Sequence, residues 1–220
     1  MLAGTITFAD NDFQDADWMA VEVLDLTPND SFVFSGNRLS AGGNPGAYRR
    51  VVNELNTLAS SPIRAGHFRS GAVFDPGEDG SFLSLDVSFD GISQPGNLAG
   101  AMGYGIVLEQ GGNFFTVGFG QVLDGAGWAN FGATGLVEGS FSAVDAGSLD
   151  LSDAGGLVSI GVLVANGTFG LPSTNVGGFD NWSVNVNTVS EPAQLALLGL
   201  GVAGLSVARR KWGRAGANQR

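Results

Sequence analysis

Short alternating runs of apolar and polar residues, separated by glycine-rich turns, constrain this 220-residue chain more than any other feature. GTITFAD, SFLSLDVSFD, YGIVLE, FFTVGFG, LVSIGVLVA and FDNWSVNVNTV show period-two alternation or short β-branched and aromatic runs. That is the pattern of strands with a buried face. In SFLSLDVSFD the pattern is imperfect: Phe82, Leu83 and Leu85 begin it, and Val87 and Phe89 continue it against Ser84, Asp86 and Ser88. GGNPG, DPGEDG, QPGN, EQGGN and LDGAG lie between the runs. Glycine and asparagine tolerate positive φ there, and proline stays out of strand interiors, where it would cost a ladder hydrogen bond. One segment, YRRVVNELNTLAS, spaces Val51, Val52, Leu55 and Leu58 almost as a helix would, and reads equally as a strand AYRRVV running into a loop. Many short strands about ten residues apart predict an all-β fold, an antiparallel β-sandwich of jelly-roll type.

Charge divides the chain in two. Up to Ser190 the basic residues are Arg38, Arg49, Arg50, Arg64 and Arg69, with no lysine, and acidic residues outnumber them about fourfold. An acidic body argues against nucleic acid, which is bound chiefly by neutralising phosphates, and against an anionic membrane face. With no cysteine and one histidine, disulfides, thiolate chemistry and a histidine-rich metal site are excluded too. From Pro192 to Ala208 the chain is apolar except for Gln194 and Ser206, and Arg209, Arg210, Lys211 and Arg214 follow. Seventeen helical residues would span roughly 25 Å, short for a bilayer core of about 30 Å. The positive-inside rule keeps the basic end cytoplasmic and the body outside. A buried C-terminal helix of the domain is the alternative.

SEPAQLALLGLGVAGLSVARRKW resembles the PEP-CTERM sorting signal of Gram-negative bacteria, which has a Pro-Glu-Pro-like motif, a short apolar helix and an Arg-rich end. Glu191 and Pro192 match the last two motif positions, and Ser190 stands where the motif has its first proline. The resemblance implies a transient inner-membrane anchor and cutting near Glu191 by an exosortase, a membrane-embedded protease. The body would then be left at the cell surface or outside it. The expected division is a sandwich over 1–188, the sorting signal with its apolar helix and basic end over 189–214, and a tail over 215–220. Export also requires an N-terminal signal peptide. MLAGTITFADNDF begins directly in a first strand, so the natural start is expected upstream.

No enzyme signature stands out. His67, in IRAGHFRSG, is the only candidate for a triad base, and no G-x-S-x-G elbow accompanies it. The paired carboxylates of jelly-roll glycosidases, written Glu-x-Asp-x-x-Glu on one strand, are not matched by EVLDL or LSLDVSFD. A non-catalytic role is expected. Acidic and amide residues gather near both ends of the body: Asp10, Asn11, Asp12, Asp15 and Asp17, then Asp180 and Asn181. Calcium takes six to eight oxygen ligands, and such groups supply them, though they equally suit ordinary turns and strand edges. The pairing of an acidic first strand with a last strand opening Asp-Asn resembles bacterial jelly-roll carbohydrate-binding modules. That resemblance implies a structural calcium, with Asp180 the first ligand and Asp10 and Asp12 next. Sugar rings stack on exposed aromatic faces. Trp128, in the Gly-rich loop LDGAGWANFG, is the foremost candidate, followed by Tyr104 and Tyr48, while Trp182 lies in phase with Val184 and Val186 and reads as core. The expected function is polysaccharide binding outside the cell, the alternative a structural or adhesion role in a biofilm matrix without a discrete sugar ligand.

Overall fold

The alternating runs pair into two six-stranded antiparallel sheets in the computed structural model, which describes residues 3–25, 32–55, 62–167 and 172–189. The first sheet contains β1 (Ala3–Asp10), β3 (Phe32–Gly43), β4 (Gly46–Leu55), β6 (Ser81–Ser93), β9 (Ala129–Leu136) and β12 (Ser173–Val189). Its order is β3-β4-β12-β6-β9, with β1 also on β12. The second contains β2 (Trp18–Asp25), β5 (Pro62–Phe74), β7 (Ala101–Gln110), β8 (Asn113–Leu123), β10 (Ser142–Ala143) and β11 (Val158–Gly167), in the order β10-β8-β7-β11-β5-β2. The expected sandwich is thus present. The expected C-terminal helix and the rest of the sorting signal from residue 190 onward lie outside the described residues. Among the described residues no helix is long and apolar enough to cross a membrane.

Strand β12 organises the first sheet. One edge pairs with β6; the other pairs with β4 over residues 173–179 and with β1 over residues 182–189. Two irregularities in its ladder with β6 explain the sequence pattern. Asn187 faces Ser84 while Thr188 faces Phe82, so Leu83 is skipped and stands 53% exposed. The broken alternation of SFLSLDVSFD is this bulge, after which Leu85, Val87 and Phe89 point inward and are buried. The second irregularity lies between Asp180 and Ser183, where Asn181 takes a φ of 51°. Asparagine tolerates that left-handed geometry better than most residues. The shift carries Trp182, Val184 and Val186 into the core, as their phase predicts.

The YRRVVNELNTLAS segment forms a strand, not a helix, as far as it is described: β4 runs to Leu55. Arg49, Val51 and Asn53 alternate inward, so period two overrides the helical spacing. Buried Arg49 reaches across to the second sheet, its guanidinium carbon 5.6 Å from the Trp18 ring and its Nε 3.5 Å from His67 Nδ1. Burial pulls the Arg49 pKa down to about 10, opposed by the charges of Asp15 and Asp10. His67 is wholly enclosed, and burial first and Arg49 second hold its pKa down at about 3. A neutral imidazole locked between the sheets is a core residue.

Candidate functional site

Three of the residues singled out by sequence come together on the face of the first sheet turned away from the core. Phe89 and Phe131 point inward, so their neighbours Asp90 and Asn130 point outward. Strand register aligns Asp180 with Asp90, and Asp90 with Asn130, across β12, β6 and β9. Tyr48 flanks this row from β4, and Trp128, just before β9, meets it edge-on with ring centroids 5.3 Å apart. Trp128 is half-buried and Tyr48 only 5% exposed. The Tyr48 ring lies flat on Gly178, where a Cβ would sit 2.6 Å from both Cδ2 and Cε2. Burial raises the Tyr48 pKa, partly offset by the charge of Arg50. Tyr48 therefore backs Trp128 and offers little face of its own.

Asp90 is the polar centre beside this pair. Its Oδ2 accepts from Asn181 Nδ2 at 2.7 Å and Asn44 Nδ2 at 3.3 Å, and its Oδ1 accepts from Asn130 Nδ2 at 3.0 Å. Asp180 is fully buried beneath the β3–β4 turn. It accepts the main-chain N–H of Asn44 through Oδ2 and that of Asn181, at 2.7 Å, through Oδ1. Asn181 Nδ2 also donates to the Asn44 carbonyl. Burial is the largest influence on Asp180 and raises its pKa; the two N–H groups lower it, and the Asp90 charge raises it again.

The turn also brings backbone oxygens to Asp180. A methyl group on Gly43 would lie 2.6 Å from Asp180 Oδ2, 2.7 Å from the Ala47 carbonyl and 2.9 Å from the Gly46 carbonyl. Carboxylate and carbonyl oxygens are ligand types that calcium takes, and at the Gly43 Cβ position itself their closeness leaves no room for an added atom. Among the described residues no three His, Cys, Asp or Glu side chains gather as metal ligands, so carbonyl and amide oxygens would have to complete the set.

Asp10 and Asp12, expected beside Asp180, are held elsewhere. Asp10 accepts four hydrogen bonds: Asp12 N at 2.8 Å and Phe13 N at 2.9 Å on Oδ1, Trp18 Nε1 at 2.9 Å and Arg69 Nε at 3.2 Å on Oδ2. Asp12 pairs with Arg38 Nη2 at 2.6 Å and accepts from Gln14 Nε2 at 2.6 Å, and these two contacts, Gln14 first, lower its pKa. Neither shares a hydrogen-bond partner with Asp180. Tyr104 requires a correction. It is 2% exposed, packed against Phe89 and Phe131, with its hydroxyl 2.7 Å from Ile92 O and 2.8 Å from Gly178 O. No ring face is left for a sugar. Asp90, Asn44 and Asn130 were not legible as site residues, because strand register gathers them and no local motif does.

A surface hollow runs along the outer face of the other sheet, in two parts of about 240 and 270 Å³. Met19, Phe68 and Phe114 give it an apolar floor. Its one arginine, Arg69, is already engaged by Asp10.

Residues 188–211 match the PEP-CTERM protein-sorting motif, which includes Ser190, Glu191, Pro192, Arg209, Arg210 and Lys211. Among curated proteins no relative matches the chain. Similar solved structures include carbohydrate-binding modules. One is the family 11 module from Clostridium thermocellum in complex with a β-1,3-1,4-mixed-linked tetrasaccharide, 11% identical over 84% of this chain and 98% of that one, TM-score 0.46. Another is the CBM22-1 xylan-binding domain from Paenibacillus barcinonensis, 8% identical over 84% and 95%, TM-score 0.39.

Proposed function

We propose that this is an exported, non-catalytic protein that binds extracellular polysaccharide on the outer face of its first sheet. The sorting motif supports export. The observation that carries the binding reading is the Tyr48–Trp128 pair beside Asp90 and its three asparagine partners. Trp128 supplies an aromatic surface for a pyranose ring, and the amides and carboxylate supply partners for its hydroxyls. In this reading an exosortase cuts near Glu191 and leaves the body at the cell surface.

Titration of the body with the producing organism's own polysaccharide tests the proposal. Trp128→Ala is expected to weaken binding by more than about tenfold, the loss of one well-placed aromatic contact. Unchanged affinity in that variant removes this site. A flat titration of the folded parent supports the matrix or adhesion role instead.

Calcium belongs to the same proposal, at Asp180 and Asp90 with the carbonyls of the β3–β4 turn. Chelation is expected to lower the melting temperature of the parent, and Asp180→Asn is expected to abolish that response. Equal melting with calcium and with chelator excludes the ion.

A further inference from the structure

The sorting motif begins where the folded body has not yet ended. The match starts at residue 188, yet Thr188 and Val189 still belong to β12. Val189 pairs with Ala3 of β1 on one edge and with Ser81 of β6 on the other. Behind it Asn187 pairs with Thr5 and Ser84, and Val186 with Ile6 and Leu85. Val186 is fully buried and Thr188 is 3% exposed. No spacer separates this doubly paired strand from Ser190, Glu191 and Pro192.

Proteases grip a substrate as an extended strand through its main-chain groups, the same contacts a sheet neighbour makes. The residues just upstream of Glu191 already spend those groups on β1 and β6. The two neighbours differ in how firmly they are held. β6 lies inside the sheet between β12 and β9, whereas β1 has β12 as its only strand partner among the described residues. Two side-chain bonds add to that ladder, Thr5 Oγ1 to Asn187 Oδ1 at 3.1 Å and Thr7 Oγ1 to Asn185 Oδ1 at 2.7 Å. Ile6 and Phe8 are only partly buried against the core.

We infer that the processing protease grips the residues just upstream of its cut as an extended strand, that in this chain those residues are 186–189 on the edge of β12 now covered by β1, and that β1 must therefore peel away before the chain is cut. The inference rests on the reading of the tail as a processed sorting signal. β1 is then a clip: while it is closed the motif lies at the end of an occupied strand, and when it opens residues 186–189 present a free edge.

The chain has no cysteine, which permits a reversible test. Thr5→Cys with Asn187→Cys places two thiols at directly opposed positions of β1 and β12. Processing is followed by the size of the full-length chain in cells carrying the protease. The oxidised double variant is expected to remain uncut while the parent and each single variant are cut, and reduction is expected to restore cutting. A Gly/Ser spacer of about eight residues after Val189 is expected to speed cutting of the parent roughly tenfold and to release the cross-linked chain from its block. Cutting of the cross-linked, unspaced chain at the parental rate overturns the clip. So does a spaced, cross-linked chain that stays uncut. A parent that is never cut removes the processing reading itself, and the clip with it.

Discussion

Gly177→Ala is expected to lower stability by about 3–4 kcal/mol, the sum of an overpacked core position and a disturbed buried hydroxyl. The methyl group would enter the space of Met102 Sδ, 2.6 Å from the Ile92 carbonyl and 2.8 Å from Tyr104 Oη. Two of these neighbours are fixed. The Ile92 carbonyl belongs to β6, directly beside β12, and Tyr104 is tied to both strands. Its hydroxyl shares its proton between Ile92 O and Gly178 O, and accepts the Gly178 N–H at 3.2 Å. Only the methionine can yield. For a body of this size the loss corresponds to a fall in melting temperature of roughly 10 °C. Gly118→Ala is the control, since a Cβ there meets nothing within 4 Å, and it is expected to melt with the parent. A Gly177→Ala protein melting within about 2 °C of the parent would show that the sheets shift apart at little cost, contrary to close packing.

The same residues show how far sequence reading reached. Strands with strict alternation, such as the β12 run through Trp182, Val184 and Val186, were legible because one buried face imposes period two. β5 was not. Ala65, Gly66, His67 and Phe68 are buried in succession because the strand lies between the main core and a second apolar cluster around Val23, Val107 and Leu163. A strand covered on both faces loses its alternation, and small and polar residues hide it further. Trp128, Tyr48 and Asp180 were legible singly, by aromatic character or position in a turn. Their assembly around Asp90 was not, because a bulge at Asn181 and the register of four strands create it. Tyr104 and Asp10 misled for one shared reason. Composition shows a phenol or a carboxylate, but not the carbonyls or arginine that tertiary structure places against it.

Asp10→Ala is expected to lower stability by about 2–3 kcal/mol at neutral pH, below the usual cost of breaking a fully buried ion pair because Arg69 is partly exposed. The carboxylate joins three parts of the fold: the turn after β1 through Asp12 N and Phe13 N, the start of β2 through Trp18 Nε1, and β5 through Arg69. Its removal leaves the buried Trp18 indole N–H without its acceptor and Arg69 without its counter-charge. Asp10→Asn can keep the turn's two bonds, but it loses the charge facing Arg69, so it is expected to fall between parent and alanine variant. Acid supplies the second axis. Burial pushes the Asp10 pKa up, but the bonds from Phe13, Trp18, Asp12 and Arg69 outweigh it and leave the folded value below the ordinary 3.8. A carboxylate with a depressed folded pKa stabilises fully above its unfolded value and loses that contribution as pH falls through the folded one. The gap between parent and Asp10→Ala should therefore be constant from neutral pH down to about pH 4 and narrow below it. Asp180 acts with the opposite sign: its raised pKa makes ionisation a cost to the folded state, relieved on acidification. Urea denaturation of the parent, Asp10→Ala and Asp180→Asn at neutral and acid pH separates the two carboxylates. A parent–Asp10→Ala gap that does not narrow below pH 4 would mean that Asp10 acts through shape and not through its charge.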